Sequence, residues 1–291
     1  MRTLVPRTTS DFRRCVRARQ FIAGALLILG ASPVLAQEVR ADTARADSAV
    51  SGPLFTKSSA WIAGGALAGT AALMLADRGI TEEFRDPGPQ GSRALRDAAS
   101  GFNWLGDPGT VVLSVALYGS GRLFHQSSVA EIGLRSAEAI AISAAATYML
   151  KGIAGRNRPY VNNLDSDHFG LGSGFGSGGH TSFPSGHSTA AFALASVVAS
   201  ESKIHWPHAA RYIPLVAYGA ATAVAVARVY SDKHWASDVF LGAGIGTLTG
   251  LGVVRYYRLH PDSRLDRWLL HTQIMLPGPG QVGVGWTMSA P

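Results

Sequence analysis

The chain contains very little cysteine and few charged residues for its length. Its single cysteine, Cys15, lies near the N-terminus, so the rest of the sequence offers neither a disulfide nor a thiolate cluster for a metal. Charged residues make up 15% of the 291 residues, whereas soluble domains contain about 25%. Hydrophobic residues account for 47%. This balance favours a membrane protein or a tightly packed helical bundle.

The net charge of +7 is concentrated at the N-terminus. Residues 1–36 contain six arginines and one aspartate, which leaves 20 basic and 18 acidic residues in the rest of the chain. This remainder shows no basic stripe of the kind that binds nucleic acid, so no nucleic-acid partner is expected.

Residues 1–36 have the organisation of a secretory signal peptide. The arginines form a charged segment, residues 21–30 are apolar, and residues 34–36 supply the small side chains that mark a cleavage site. We therefore expect cleavage after residue 36, which would remove Cys15 and suits an oxidising envelope compartment. An uncleaved membrane anchor is the alternative. The polar residues 37–57 are expected to form a flexible lead-in.

Apolar segments rich in Ala, Gly, Val and Leu alternate with loops through residues 58–260. Few β-branched runs have strand spacing, so the pattern predicts an all-α fold, a helical bundle of about six core helices with its functional site at helix ends and connecting loops. The predicted helices cover residues 59–76, 109–124, 132–150, 188–200, 209–227 and 237–254. Residues 261–291 are predicted to form a C-terminal tail, in which residues 281–286 alternate like a short strand.

The first of three short segments suited to phosphate chemistry begins at Lys151. After six residues it continues with Arg158-Pro159. Two cations seven residues apart would share one face where a helix runs into its following loop, and Pro159 marks that boundary. Alone, such a pair is more often solvated or placed against the helix C-terminus.

The second segment is Pro184-Ser185-Gly186-His187, directly before an apolar helix. The backbone amides of a helix N-terminus can bind an anion. Gly186 would let the backbone approach phosphate oxygens, the Ser185 hydroxyl could donate to one, and His187 could protonate a leaving oxygen. An ordinary serine-capped helix start is the alternative.

The third segment contains Arg228, then after five residues His234, then after three residues Asp238. His234 and Asp238 would lie on one helix face, where the carboxylate can accept a hydrogen bond from one ring nitrogen. The other nitrogen would then be an unprotonated nucleophile. A surface His–Asp pair is the alternative. Together the three segments supply what phosphoryl transfer through a histidine requires: three cations, two histidines and a carboxylate.

In order and spacing, these segments resemble the type 2 phosphatidic acid phosphatase superfamily, which also includes bacterial class A acid phosphatases and vanadium haloperoxidases. The family pattern is Lys, six residues, Arg-Pro; then Pro-Ser-Gly-His; then Ser-Arg, five residues, His, three residues, Asp. The chain departs from it at Ala227, which stands where Ser usually precedes Arg228. The resemblance covers about residues 59–258 and implies a phosphatase domain at residues 58–260.

The resemblance also implies a role for each matching residue. His234 would attack phosphorus and form a phosphohistidine while Asp238 holds its ring, and His187 would protonate the leaving group and then activate water. The implied ligands of the phosphoryl oxygens are Lys151, Arg158, Ser185, the Gly186 amide and Arg228. Neither a metal nor another cofactor is implied.

The resulting expectation is an exported phosphatase that hydrolyses phosphate monoesters or diphosphates. The expected substrate is a phosphorylated lipid, of the phosphatidic acid or undecaprenyl diphosphate type, or a small phosphoester. One alternative is a vanadate-dependent haloperoxidase, although the chain is short for that class. Another is an inactive phospholipid-binding relative, against which the intact His187, His234 and Asp238 argue.

Whether the helices cross a membrane is open at this level. Segments 59–76, 209–227 and 237–254 approach the ~20 apolar residues of a span, but the mean hydropathy of +0.14 is low for six spans. A cleaved leader and three early spans would place Lys151 in the cytoplasm, whereas the arginines after residue 254 favour an outward-facing site. A periplasmic helical protein avoids this conflict and is preferred to an inner-membrane protein whose active site faces the periplasm.

Two further features have less defined expectations. Residues 170–179 include six glycines and form either a linker or a lid over the site. His205 and His208 lie three residues apart, and a solvated loop without an acidic partner is expected there rather than a metal site.

Overall fold

A computed structural model describes residues 52–161, 164–176, 178–261, 263, 266, 269–270, 272–275 and 285–288. The predicted signal peptide, Cys15 and most of the lead-in lie outside the described residues. So do residues 281–284 of the predicted tail strand.

Nine α-helices occur within the described residues. They are α1 (Lys57–Met74), α2 (Asp77–Phe84), α3 (Pro87–Gly91), α4 (Arg93–Trp104), α5 (Thr110–Leu123), α6 (Ser127–Ala154), α7 (Gly186–His205), α8 (Ile213–Tyr230) and α9 (Ala236–Leu259). A π-helical turn, Leu105–Gly109, joins α4 to α5. The six predicted segments correspond to α1 and α5–α9, which confirms the all-α bundle. Helices α2 and α4 were not predicted, because their sequences are polar and carry no long apolar run.

Helix α7 is the central element of the bundle. One side of it packs with α8 and α9, and the other side packs with α6 and α9. Phe192 meets Val224 and Val239 in the first apolar cluster, while Val197 meets Val254 in the second. The buried residues of α7 are mostly alanines and other small side chains, so neighbouring helices approach it closely.

Three glycines of α9, four residues apart, bring its backbone against α7. A Cβ on Gly242 would lie 2.6 Å from the Ser185 carbonyl oxygen, and one on Gly250 would lie 2.6 Å from the Ala193 carbonyl oxygen. A Cβ on Gly246, between them, would lie still closer to the Thr189 carbonyl oxygen of α7. Small residues at this spacing allow such approach, as in the contacts of membrane helices. The first turns of α7 and α9 are therefore held together at one end of the bundle.

The C-terminal tail contributes a short antiparallel hairpin. Strand β1 (Thr272–Met275) pairs with β2 (Gly285–Met288), with Thr272 opposite Met288. The tail also reaches the bundle, because the Tyr118 hydroxyl of α5 donates to the Leu269 carbonyl at 2.8 Å.

In the described part of the chain, α8 and α9 are each long and apolar enough to cross a membrane. A third span results if α1 and the bent continuation to Gly91 are taken together. Large apolar side chains also face outward from the bundle, including Val115 on α5, Ile142 on α6 and Val216 on α8. These features suit a membrane protein.

Candidate active site

The three predicted segments meet at one end of the bundle. Helices α6 and α8 end there, with Lys151 and Arg228 in their last turns, while α7 and α9 begin there. The Ser185 amide donates to the Asp238 carbonyl at 3.0 Å and so links the starts of α7 and α9 directly.

Lys151 and Arg158 are joined through residues 181–182 rather than through a continuous helix. Helix α6 stops at Gly155, whose φ of 57° ends it before Arg158. The Lys151 ammonium donates to the Thr181 carbonyl at 2.7 Å and to the Ser182 carbonyl at 3.4 Å. The Arg158 guanidinium donates to the Thr181 hydroxyl at 3.2 Å. The two cations are thus brought together by a chain segment that the spacing argument did not include.

The second segment forms both a capped helix start and an open amide. Ser185 is the N-cap of α7 and is fully buried, and its hydroxyl oxygen accepts from the Ser188 amide at 3.5 Å. Gly186 is the first residue of α7, and apart from its chain neighbours and the backbone of its own helix, no protein atom lies within 4 Å of the position that a Cβ would take on it. A ligand oxygen can therefore approach its backbone. His187 follows and is half-buried.

Arg228 is buried near the end of α8 and is anchored by α4. Its guanidinium donates to the Asn103 side-chain oxygen at 3.1 Å, and the Asn103 amide donates to the Ser231 hydroxyl at 2.8 Å. Asn103 thereby orients Arg228 and ties α4 to the site.

His234 and Asp238 face each other but do not form the predicted hydrogen bond. His234 Nδ1 lies 3.6 Å from Asp238 Oδ2, which is beyond hydrogen-bond distance, and the two side chains are 2% and 0% exposed. The Asp238 carboxylate instead accepts from the Trp235 amide at 2.9 Å, from the Ser182 hydroxyl and from Arg156 at 2.7 Å. With Nδ1 turned toward the carboxylate, Nε2 is the ring nitrogen left to face the rest of the site.

The charges around His234 are mainly positive and alter the pKa values of the site. Burial, and then the charge of Arg158, lower the pKa of Lys151 to about 7. Burial, and then the charges of Arg228, Arg158 and Lys151, lower the pKa of His187 to about 4. Burial and the same three cations hold the pKa of His234 well below its usual value. Both histidines are therefore neutral at neutral pH, and the charge of the site comes from its three cations.

Several residues of the site were missed from the sequence. Arg156 lies two residues before Arg158 but points into the interior, and Asp77 at the start of α2 is its partner at 2.8 Å. Asn103 accepts a hydrogen bond from Arg228, and Thr181 accepts one from Arg158. Nothing in their local sequence marks them, because each acts through a contact with a residue far away in the chain.

The glycine-rich loop packs against the segment that follows α6. The Asn157 amide donates to the His168 carbonyl at 3.1 Å, and the Arg158 amide donates to the Gly179 carbonyl at 2.7 Å. Leu171, 84% exposed, and half-exposed Phe175 point away from the bundle. The described residues of this loop are therefore attached to the site. Whether the loop acts as a lid stays a prediction.

An ion-pair cluster lies at the opposite end of α6 and α7, and it corrects the expectation for His205. The Nε2 atom of His205 lies 3.4 Å from a carboxylate oxygen of Glu201 and 3.8 Å from one of Glu131. These three groups are close enough to hold a metal ion. Arg135, however, contacts Glu201 at 2.7 Å and Glu131 at 3.3 Å, so both carboxylates are already paired.

The structure is therefore a helical bundle with three cations, two histidines and a buried carboxylate together at its helix ends. Residues 133–261, slightly less than half of the chain, match the model of the PAP2 superfamily. The matched region includes all three predicted segments. It does not extend to the start of the resemblance expected from the sequence, near residue 59.

Two known proteins are similar to parts of the chain. A lipid A 1-phosphatase of Porphyromonas gingivalis is 36% identical over 69 residues, which are 24% of this chain and only 15% of that protein. A transmembrane PAP2-type phosphatidylglycerolphosphate phosphatase from Bacillus subtilis has a similar structure, with a TM-score of 0.52 and 21% identity. The structural match covers 70% of this chain and 98% of that one, and it shows that the two share a fold.

Proposed function

We propose that this protein is an exported phosphatase that hydrolyses phosphate monoesters or diphosphates of lipids through a phosphohistidine. The observation that carries the proposal is the convergence of Lys151, Arg158 and Arg228 on two neutral histidines at one end of the bundle. Three clustered cations repel one another unless an anion lies among them, and a phosphoryl group carries the charge that they match.

In the first step, His234 Nε2 attacks phosphorus and the bond from phosphorus to the leaving oxygen breaks. Asp238 faces Nδ1 and stabilises the positive charge that the ring acquires. The three cations, the Ser185 hydroxyl and the Gly186 amide hold the remaining phosphoryl oxygens.

His187 supplies the proton for the leaving oxygen. Its pKa of about 4 belongs to the protein without substrate, where three cations oppose its protonation. A bound phosphate offsets those charges and raises the pKa of His187, so the acid forms when substrate is present. In the second step, neutral His187 takes a proton from water, the water oxygen bonds to phosphorus, and the bond from phosphorus to His234 breaks.

A lipid is the favoured substrate because apolar surface lies next to the site. On the last turns of α6, Tyr148 and Ile153 are exposed, and Phe175 of the glycine-rich loop packs edge-on against Tyr148. With Leu171 they form an outward-facing apolar surface adjoining Lys151. Acyl chains could contact this surface while the phosphate reaches the cations. The names of the two similar proteins, both lipid phosphatases, agree with this choice.

We propose a membrane location with the site facing the periplasm. Helices α6 to α9 alternate in direction, so all site residues share one side if α7 and α8 both cross the bilayer. Arg255 and Arg258 lie at the opposite end of α9, and positive residues favour the cytoplasmic side. The earlier preference for a soluble periplasmic protein is thus replaced by the inner-membrane alternative. Fractionation of cells and a reporter fused to the C-terminus test this assignment, and a periplasmic reporter would contradict it.

The function is tested with protein purified in detergent and kept in EDTA. Release of phosphate would be measured from p-nitrophenyl phosphate, phosphatidic acid and undecaprenyl diphosphate, for the wild type, His234→Ala and the exposed-loop control His208→Ala. We expect His234→Ala to abolish release and His208→Ala to retain it. Rapid quenching with ³²P-labelled substrate should trap an acid-labile phosphoenzyme in the wild type and not in His234→Ala.

The same preparations separate the alternatives. Release that persists in His234→Ala would refute the phosphohistidine, and release that requires added metal would refute metal independence. Oxidation of bromide with vanadate and peroxide, without phosphate release, would identify a haloperoxidase. A kcat/KM for lipid phosphates no higher than for p-nitrophenyl phosphate would argue against a lipid substrate.

A further inference from the structure

Arg156 belongs to a separate, fully buried charge network behind the phosphate site. Its guanidinium donates to Asp238 Oδ1 and to the Ser237 hydroxyl, both at 2.7 Å. On its other side it donates to Asp77 Oδ2 at 2.8 Å and to the Ser166 carbonyl at 2.6 and 2.9 Å. Every nitrogen of this guanidinium is thereby engaged within the protein, so Arg156 is not free to bind substrate.

Asp77 is the most distant member of this network in the sequence. It is 0% exposed, and its carboxylate accepts from the Ser237 amide at 2.9 Å and from the Ser237 hydroxyl, as well as from Arg156. Asp77 therefore holds both Arg156 and the first turn of α9. It ties the start of α2 to the helix that carries Asp238.

Aromatic rings enclose the guanidinium of Arg156. Its central carbon lies 5.1 Å from the centre of the Phe169 ring, 5.5 Å from that of Trp235 and 5.9 Å from that of Phe183. Water is excluded from such an environment, so the charges interact strongly and an unpaired charge is costly. Two carboxylates and one guanidinium leave a net formal charge of −1 beside His234.

We propose that Asp77 and Arg156 are positioning residues for the reaction, which hold the Asp238 carboxylate against His234 and set the charge behind it. This proposal rests on the proposed phosphohistidine function. Arg156 fixes one oxygen of Asp238, so the other oxygen faces His234 Nδ1. A phosphorylated imidazole ring is positive, and a net charge of −1 behind it stabilises the ring as it forms.

The charge balance leads to a specific expectation for Asp77→Asn. With Asp77 neutral, the Arg156 charge is matched by Asp238 alone, and the net charge behind His234 falls to zero. The phosphate-binding cations are unchanged. We therefore expect kcat for p-nitrophenyl phosphate to fall about 100-fold and the trapped phosphoenzyme to decrease, while KM stays within about twofold.

A double variant distinguishes an electrostatic role of Asp77 and Arg156 from a purely structural one. Adding Arg156→Gln to Asp77→Asn restores the net charge of −1, so we expect kcat to rise above that of Asp77→Asn. A purely structural role predicts instead that kcat follows the free energy of unfolding, so the double variant would be faster than Asp77→Asn only if it were also more stable. Asp97→Asn changes an exposed acid in a surface ion pair and serves as the matched control with wild-type kinetics.

The outcomes separate this proposal from the function on which it rests. If the wild type releases phosphate through His234 and Asp77→Asn has wild-type kcat, the positioning role is refuted. It is also refuted if the double variant is slower than Asp77→Asn. If the wild type shows no His234-dependent release, both proposals fail. Should Asp77→Asn not fold, Ser237→Ala removes the hydroxyl between Asp77 and Arg156 and must then lower kcat, with KM unchanged, for the role to stand.

Discussion

Lys151 is the cation of the site whose charge depends most on pH, and Lys151→Arg tests the electrostatic reasoning. Its pKa is lowered from 10.5 to about 7, first by burial and then by Arg158. Since kcat/KM reports the protonation state of the free enzyme, activity that needs this charge should fall about tenfold per pH unit above about pH 7. At about pH 9 the wild type should retain about 1% of its plateau value.

Arginine at this position should keep its charge over this pH range, because the pKa of a guanidinium lies well above that of an ammonium. The plateau of Lys151→Arg should be lower, since the larger guanidinium disturbs the contacts with the Thr181 and Ser182 carbonyls. Its kcat/KM should nevertheless stay level through about pH 9. The informative result is therefore how kcat/KM changes with pH, and not its absolute value.

The assay is the pH dependence of kcat/KM for p-nitrophenyl phosphate in detergent, from about pH 5 to about pH 10. Ionisation of the substrate is common to all variants and cancels in the comparison. Lys203→Arg, near the other end of α7, is the matched control and should keep the wild-type alkaline limb. An alkaline limb that lies above about pH 9 in the wild type, or that does not move in Lys151→Arg, would refute the assignment.

Three further predictions concern the proton donor, the anion and the helix packing. His187→Asn should slow turnover by a factor of about 10²–10⁴. With p-nitrophenyl phosphate it should still give a burst of p-nitrophenol in stopped flow, because this leaving group departs without an acid. The absence of a burst would contradict the role of His187. Inorganic phosphate at about 100 Kd should raise the unfolding free energy by about 2.7 kcal/mol, and Arg158→Ala should lose most of this gain. Gly250→Ala should lower the unfolding free energy by about 1–3 kcal/mol, whereas Gly252→Ala, whose Cβ would meet no other helix within 4 Å, should be neutral or raise it.

The fold class and the location of the site could be predicted from the sequence. Apolar segments without strand spacing indicate helices. The three motifs are recognised by residue type and spacing within short segments, and these segments meet at one end of the bundle. The C-terminal ends of α6 and α7 lie four and five residues beyond their predicted ends, because the last turn of each helix is less apolar but keeps its backbone hydrogen bonds. Helices α2 and α4 were missed because their polar sequences carry only a narrow apolar face.

Side-chain partners could not be predicted in the same way. The spacing of His234 and Asp238 indicates a shared helix face, but His234 precedes α9, and Arg156 and Ser182 hold the carboxylate at 3.6 Å from His234 Nδ1. Likewise, Lys151 and Arg158 do not share a helix, since Gly155 ends α6 between them.

By itself, the sequence determined which residue types could perform phosphoryl transfer and that helices would carry them, because charge, ring chemistry and helical periodicity are local properties. Only the tertiary structure decided that Arg158 lies near Lys151 and Arg228, while Arg156, two residues earlier, turns inward to Asp77. That choice depends on which buried carboxylates each guanidinium can reach, and Asp77 is 79 residues away in the chain. Short sequence segments therefore supply the reactive residue types, whereas contacts between distant residues, formed only on folding, orient their side chains.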